Sequence, residues 1–427
     1  MGAPGTDAGG TDVNGVGVSG ADAAGAGAGG ADGNGVGVSG ADAAGAGAGG
    51  PGSGPVKAAI RERVLAHAGE LVGLSHRIHA HPETAFAEHR AAEWTARALS
   101  AAGFEVTAGA GGLPTAFSAS YGSGPVTVAF CAEYDALPGL GHACGHNVIA
   151  AAAVGAGLAL APVADALGLT VKVVGTPAEE RGGGKALLLE AGVFDGVDAA
   201  MMVHPGPFET VRFRSFALGT LDAEYLGRPA HATLAPHEGR NAADAMTLAQ
   251  VAIGLLRQQL PRDWHVHGVV TAAGEAPNVI PARAAASYEI RAARAEDLAA
   301  LRARVEDCFR GAAVATGCEL HLTRPEPDYL DFRDDAGLAE LYAANAAALG
   351  RPAPVEREPF AMTDMANVSH AVRAIHPMLD IGAGGAVPHD AAFAEAAAAP
   401  AADRALLDAA VLLAWTAADL ALPPAGA

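Results

Sequence analysis

The sequence predicts an α/β protein, a mixed and mostly parallel sheet flanked by helices, with a smaller βαββαβ unit inserted into it. Three observations carry this expectation. Short apolar runs alternate with helical periodicity through 104–203, polar motifs cluster at the carboxyl ends of those runs, and the pattern changes between 213 and 328 before the alternation resumes. A chain of 427 residues, 51% apolar, can fill two such cores.

The elements follow in order. Residues 1–54 carry no Lys or Arg, and NGVGVSGADAAGAGAGG occurs twice, at 14–30 and 34–50. So little apolar surface cannot offset the entropy of ordering, and a disordered tail is predicted. The catalytic part begins at 55, where Val56, Ile60, Val64, Leu71, Leu74 and Ile78 mark a helical face over 56–80, and a second helix over 87–102 ends at Gly103. Strands are predicted at 104–107, 115–121, 126–131, 169–174 and 199–203, with helices at 148–160 and 185–191 between them. The run 126–131 is almost continuously apolar, as a strand covered on both faces requires. From 213 to 328 a strand (213–226), helix (241–258), two strands (266–272, 284–291), helix (296–316) and strand (319–326) give the inserted unit. Residues 329–427 return to α/β character, with helices at 336–348 and 403–421 and a strand near 376–381.

Composition excludes several functions. The net charge is −20, and Asp7, Asp12, Asp22, Asp32 and Asp42 of the tail supply five of those charges. An acidic chain repels phosphate backbones and anionic membrane surfaces, so neither nucleic acid nor membrane is an expected partner. The first twenty residues lack the basic and apolar regions of a secretory signal, and no uncharged apolar run reaches the length of a membrane span. The cysteines at 131, 144, 308 and 318 show no disulfide framework, and a cytoplasmic location is expected.

The chemistry gathers at the predicted strand ends, where an open α/β sheet binds its ligands. Cys144 and His146 stand in GHACGHN, Glu179 and Glu180 in GTPAEE, His204 in MMVHP and His389 in VPHD. Thiolate, imidazole and carboxylate donors together suit zinc or manganese. Five candidate ligands from four strand ends exceed one tetrahedral site and could serve a pair of ions about 3.5–4 Å apart. The adjacent carboxylates diverge, so one can bind metal while the other acts as general base. Two other readings stay open on these residues: a cysteine hydrolase with Cys144 as nucleophile and His142 or His146 as base, and a noncatalytic metal-binding scaffold.

HACGH, GTPAEE, MMVHP, GRPAHA, APNVIPARA and EIRA, in this order, resemble metallopeptidase family 20, which includes aminoacylases, carboxypeptidase G, aminobenzoyl-glutamate hydrolases and auxin-conjugate amidohydrolases. GHACGHN with TDMANVSH at 363–370 and IHP at 375–377 is most similar to its aminoacylase-1-like dipeptidases, which act on β-alanyl-lysine and related dipeptides. The resemblance covers about 60–421 and implies two divalent ions, zinc or manganese with cobalt possible, on Cys144, His146, Glu180, His204 and His389. It implies Glu179 as general base, Asp135 as support behind the site, and His142 outside the ligand set. The inserted unit matches the family's lid, and the resemblance implies a homodimer formed through it. There His231 corresponds to an oxyanion-stabilising histidine that reaches the partner's site, while Asn278 and Arg291 hold substrate, Arg291 through a carboxylate.

Asn147 replaces the Asp of the auxin-conjugate branch, an exchange expected to remove charge near the metals and to alter the basicity of His146. The expected reaction is amide hydrolysis of a dipeptide or N-acyl amino acid with a free carboxylate, an aminobenzoyl-glutamate included. Asp364 is a candidate for receiving a cationic Lys or Orn side chain, with helix capping as its alternative.

Overall fold

A computed structural model describes residues 53–422 apart from 213 and 355–361. Most of the repeat tail predicted for 1–54 lies outside the described residues. The first five strands are β1 (Glu105–Ala108), β2 (Phe117–Tyr121), β3 (Val126–Ala132), β4 (Leu169–Gly175) and β5 (Ala199–Met201), and a short β6 (His204–Gly206) follows. The inserted segment supplies β7 (Ala217–Leu226), β8 (His265–Ala272), β9 (Arg283–Ala292) and β10 (Glu319–Thr323), and the chain returns through β11 (Arg373–Ile375) and β12 (Met378–Asp380).

The central sheet runs β1-β2-β4-β3-β5-β11. The pairs β3/β4, β3/β5 and β5/β11 are parallel, and β1/β2 and β2/β4 antiparallel. Alternation along β3 explains why it sits centrally. Val128, Phe130 and Ala132 enter one apolar core, and Ala129 and Cys131 the core on the opposite face. The helix His146–Leu160 packs against β3 and the helices Ala68–Ala80 and Pro400–Ala421. Its small residues let these elements close in: a Cβ on Gly155 would stand 2.8 Å from the Ala410 methyl. By length and composition His146–Leu167 could cross a membrane, a run the sequence reading passed over, yet 89% of its most apolar window is buried in this core.

The lid sheet is fully antiparallel, in the order β10-β7-β9-β8, with helices Ala242–Leu256 and Ala295–Thr316 packed on it. It has its own core, which includes Leu221, Tyr225, Ile253, Ile290, Leu301 and Phe309. The strand expected near 376–381 is instead two short strands in different sheets, because Pro377 has no N–H to continue a ladder. β12 pairs with β6 through registers that begin at Met378 and His204, which places His204 beside the His376–Pro377 break. Neither β6 nor the helix Met365–Ala371 was expected from the sequence.

Candidate metal centre

Four segments converge at the carboxyl ends of β3, β4 and β5. His146 opens its helix behind Gly145, whose φ is +76°. A Cβ on Gly145 would lie 2.5 Å from Pro205 Cγ, so the absence of a side chain lets the Cys144–His146 loop meet the His204 segment. After β4, Ala178 takes φ +61°, a rare conformation for a residue with a side chain. Its N–H donates to Glu88 Oε1 at 2.9 Å, and the Glu180 N–H donates to Asp135 Oδ2 at 2.9 Å. Two buried carboxylates therefore hold the loop that presents Glu179 and Glu180. His389 is also left-handed, at φ +76°, and its N–H donates to Ala143 O at 2.8 Å.

The side chains fit a metal pair. Cys144, His146 and His204 form one group whose donor atoms lie within 4.8 Å of one another, and Cys144, Glu180 and His389 form another. Cys144 is common to both. The Nδ1–H of His146 donates to Asp135 at 2.9 Å and that of His204 to the Pro205 carbonyl at 2.7 Å, which leaves each Nε2 lone pair for a metal. Ligands bound at about 2.0–2.3 Å in a tetrahedron stand about 3.3–3.6 Å apart. Cys144 Sγ is 3.5 Å from His204 Nε2, and His389 Nε2 is 3.3 Å from Glu180 Oε2. His146 Nε2 is buried without a hydrogen-bond partner.

Electrostatics point the same way. Burial and then the neighbouring Glu180 push the Cys144 thiol well above its usual range, so a free thiolate nucleophile is disfavoured, whereas a coordinated ion would deprotonate it. Burial holds His204 neutral, down to about 4. Burial opposes charge on both Asp135 and His146, but their contact prevails, lowering the carboxyl and raising the imidazole. Burial, then Glu133 and Glu180, raise the Glu179 carboxyl.

A cleft of about 480 Å³ opens over the centre. Its walls include Cys144, Glu179, Glu180, His204 and His389 and, from the lid, Leu218, Glu289 and Arg291. Arg291 Nη2 donates to Glu289 Oε2 at 2.8 Å. Tyr329 O–H donates to the Glu179 carbonyl at 2.8 Å. His376, Glu289, Glu326 and Tyr329 also border the cleft but were not singled out as site residues in the sequence. Only the IHP motif hinted at His376.

Two expectations change. Asp364 does not reach the cleft: it is fully buried and accepts from Lys185, at 2.8 Å from N and 2.6 Å from Nζ, while Thr363 and Met362 line the wall. Asp364 occupies the N-cap position without a side-chain cap, so its capping alternative fails as well. Asn147 donates to Ser75 Oγ and Ala397 O, both at 2.9 Å, so it ties helices together while Asp135 sets the state of His146. His231 and Asn278 are exposed on the lid and do not border the cleft of their own chain. His231 Nδ1 accepts the Thr233 and Leu234 N–H groups at 3.2 Å, which leaves its Nε2–H as a donor. His142 is buried against His79, its ring pushed down to about 3 by burial and by His146.

The chain matches the peptidase family M20/M25/M40 over residues 129–409. It is 40% identical to the Xaa-Arg dipeptidase of Mus musculus over 389 residues, 87% of this chain and 90% of the relative. It is 37% identical to a p-aminobenzoyl-glutamate hydrolase subunit of Escherichia coli (strain K12) over 279 residues, 60% of this chain and 58% of the relative. Its fold is similar to a putative aminohydrolase from methicillin-resistant Staphylococcus aureus, with TM-score 0.72 and 21% identity over 85% of this chain and 99% of that one. Built on this fold and with these relatives, the chain belongs to the M20/M25/M40 peptidase family and is a metal-dependent hydrolase of amide bonds.

Proposed function

We propose that the protein is a dipeptidase that releases a basic amino acid from the carboxyl end of its substrate, using two divalent ions, zinc or manganese with cobalt as a substitute. The sharing of Cys144 between the Cys144–His146–His204 and Cys144–Glu180–His389 groups, with Glu179 alongside, carries the reading. Bound there, the ions would acidify a water and polarise the scissile carbonyl. Glu179 takes the proton of that water and returns it to the leaving nitrogen. Arg291, steadied by Glu289, receives the substrate carboxylate. Glu289 and Glu326 place carboxylates on the cleft wall beside Arg181 and Arg291, and Glu326, outside the Glu289–Arg291 pair, is the acceptor offered to a cationic side chain. That choice agrees with the similarity to the Xaa-Arg dipeptidase of Mus musculus. The same carboxylates disfavour a glutamyl side chain, so the aminobenzoyl-glutamate reading ranks second.

His231 completes the oxyanion site of a partner subunit, with Asn278 beside it, in a homodimer formed through the lid. Two features support the dimer. β8 is an edge strand with Val269 64% exposed, and Leu248, Val251 and Leu255 recur at helical spacing on an exposed lid face. Four free cysteines among the described residues suit a reducing cytoplasm.

The test is purified protein depleted with EDTA, reloaded with Zn, Mn or Co, and offered Xaa-Arg and Xaa-Lys dipeptides, N-acyl amino acids and p-aminobenzoyl-glutamate. Glu179→Ala should bind metal as the parent does and lose about 10²–10⁴ in kcat. A variant that keeps parental kcat removes Glu179 from the mechanism.

A further inference from the structure

Glu133 follows β3 directly and is fully buried, yet neither the ligand set nor the general base accounts for it. One oxygen, Oε1, is 2.6 Å from Lys185 Nζ, which also meets Asp364 Oδ1 at 2.6 Å. All three side chains are wholly shielded from water. A buried lysine with two carboxylates is costly compared with apolar packing, so its presence calls for a reason beyond stability. Lys185 fixes Glu133 with its second oxygen turned toward the metal centre.

That second oxygen, Oε2, stands 3.5 Å from His146 Nε2. Glu179 Oε2 and Glu180 Oε1 stand 3.7 and 3.8 Å from the same nitrogen. None is at an ordinary hydrogen-bonding distance, whereas a cation beside Nε2 would find three carboxylate oxygens. The separation also matches the edge of about 3.3–3.6 Å between two ligands of one tetrahedral ion. Glu133, His146 and Glu179 accordingly form a third group of potential ligands.

Resting on the metal reading above, we infer that Glu133 is a further carboxylate ligand of the ion held by His146, with Lys185 and Asp364 as its buried anchor. Glu133 would then add a carboxylate donor beside His146, in a group that shares His146 with the Cys144–His146–His204 group but includes neither Cys144 nor His204. Lys185 is the positioning residue that keeps Glu133 oriented.

The experiment is metal competition against a chromophoric chelator, with metal content and the visible spectrum of the Co(II)-loaded protein measured in parallel. Glu133→Gln should weaken one of the two ions about 10–100-fold, leave the other unchanged and shift the Co(II) bands of one site. Glu133→Asp guards against a folding defect, because it keeps a charge for Lys185 while withdrawing the oxygen from His146. It should lose affinity for the same ion, with thermal unfolding of the chelated protein unchanged. If both variants bind two ions within twofold of the parent and with parental Co(II) bands, Glu133 is not a ligand, and the two-metal site stands without it. If the parent itself binds no ion, the metal reading falls with the inference.

Discussion

Glu88 offers the most quantitative test of how the catalytic loop is built. The residue is buried, and burial, then the charge of Asp135, raise its carboxyl from 4.5 to about 7 against the hydrogen bond from Ala178 N–H. Below pH 4.5 the group is protonated in both folded and unfolded chains and contributes no pH dependence. As pH rises, the unfolded chain ionises first while the native protein keeps its proton, so native stability falls. The loss is complete above about 7 and, at 1.36 kcal/mol per unit, reaches about 3 kcal/mol. Glu88→Gln keeps an oxygen for Ala178 and cannot ionise. In chelated protein, urea unfolding at pH 5 and pH 8 should show the variant gaining about 2–3 kcal/mol on the parent between the two conditions. An equal difference at both pH values refutes the argument, because the Glu88 carboxyl would then ionise alike in the folded and unfolded chains.

Three further outcomes follow. Gly145→Ala meets Pro205 Cγ at 2.5 Å in a backbone with φ +76°, and should lose about 1–3 kcal/mol of stability by thermal unfolding together with affinity for both ions. Asn147→Asp removes the N–H donors to Ser75 and Ala397 and buries a charge, so denaturant unfolding at pH 8 should show a loss of at least about 1–3 kcal/mol, relieved at low pH. Val251→Asp with Leu255→Asp places charge on the exposed lid face, and light scattering should find monomers that bind metal normally but turn over slowly.

The parallel sheet and the lid were legible because their signals are local. Near-continuous apolar runs such as Val126–Ala132 and the change of rhythm at the lid persist in any single sequence. The ligand candidates were legible because soft donors at strand ends are uncommon. Glu88 was hidden for the opposite reason: in AFAEHR it resembles an ordinary charged helix start, and only the fold brings it across 90 residues to Ala178. Lys185 gave no signal either, since a lysine at the beginning of a helix is expected in water, and its partners lie 52 and 179 positions away. Asp364 misled because its sequence setting reports a polar residue and not the cation opposite it. The division of β11 from β12 was missed because one proline decides it.

These long-range contacts also connect the inserted sheet to the loop proposed to carry the general base. The Glu179–Glu180 loop is held by Glu88 at Ala178, by Asp135 at Glu180, and by the Tyr329 hydroxyl at the Glu179 carbonyl. Tyr329 is fixed in turn by backbone bonds of 2.8 and 2.9 Å with Leu218, the second residue of the first lid strand. Gly183 N–H donates to the same hydroxyl at 3.0 Å, and Glu326, just beyond the last lid strand, accepts from Gly182 N–H at 2.7 Å. Tyr329 and Glu326, on the connection that follows the last of these strands, therefore both end on the Glu179–Glu180 loop, while Asn367 ties the same connection to the helix Met365–Ala371. On the roles proposed above for Glu179 and Arg291, a shift of Tyr329 relative to this loop would either carry Glu179 with it or break the hydrogen bond from the Tyr329 hydroxyl to the Glu179 carbonyl, which would couple the wall that bears Arg291 to the position of the proposed proton acceptor.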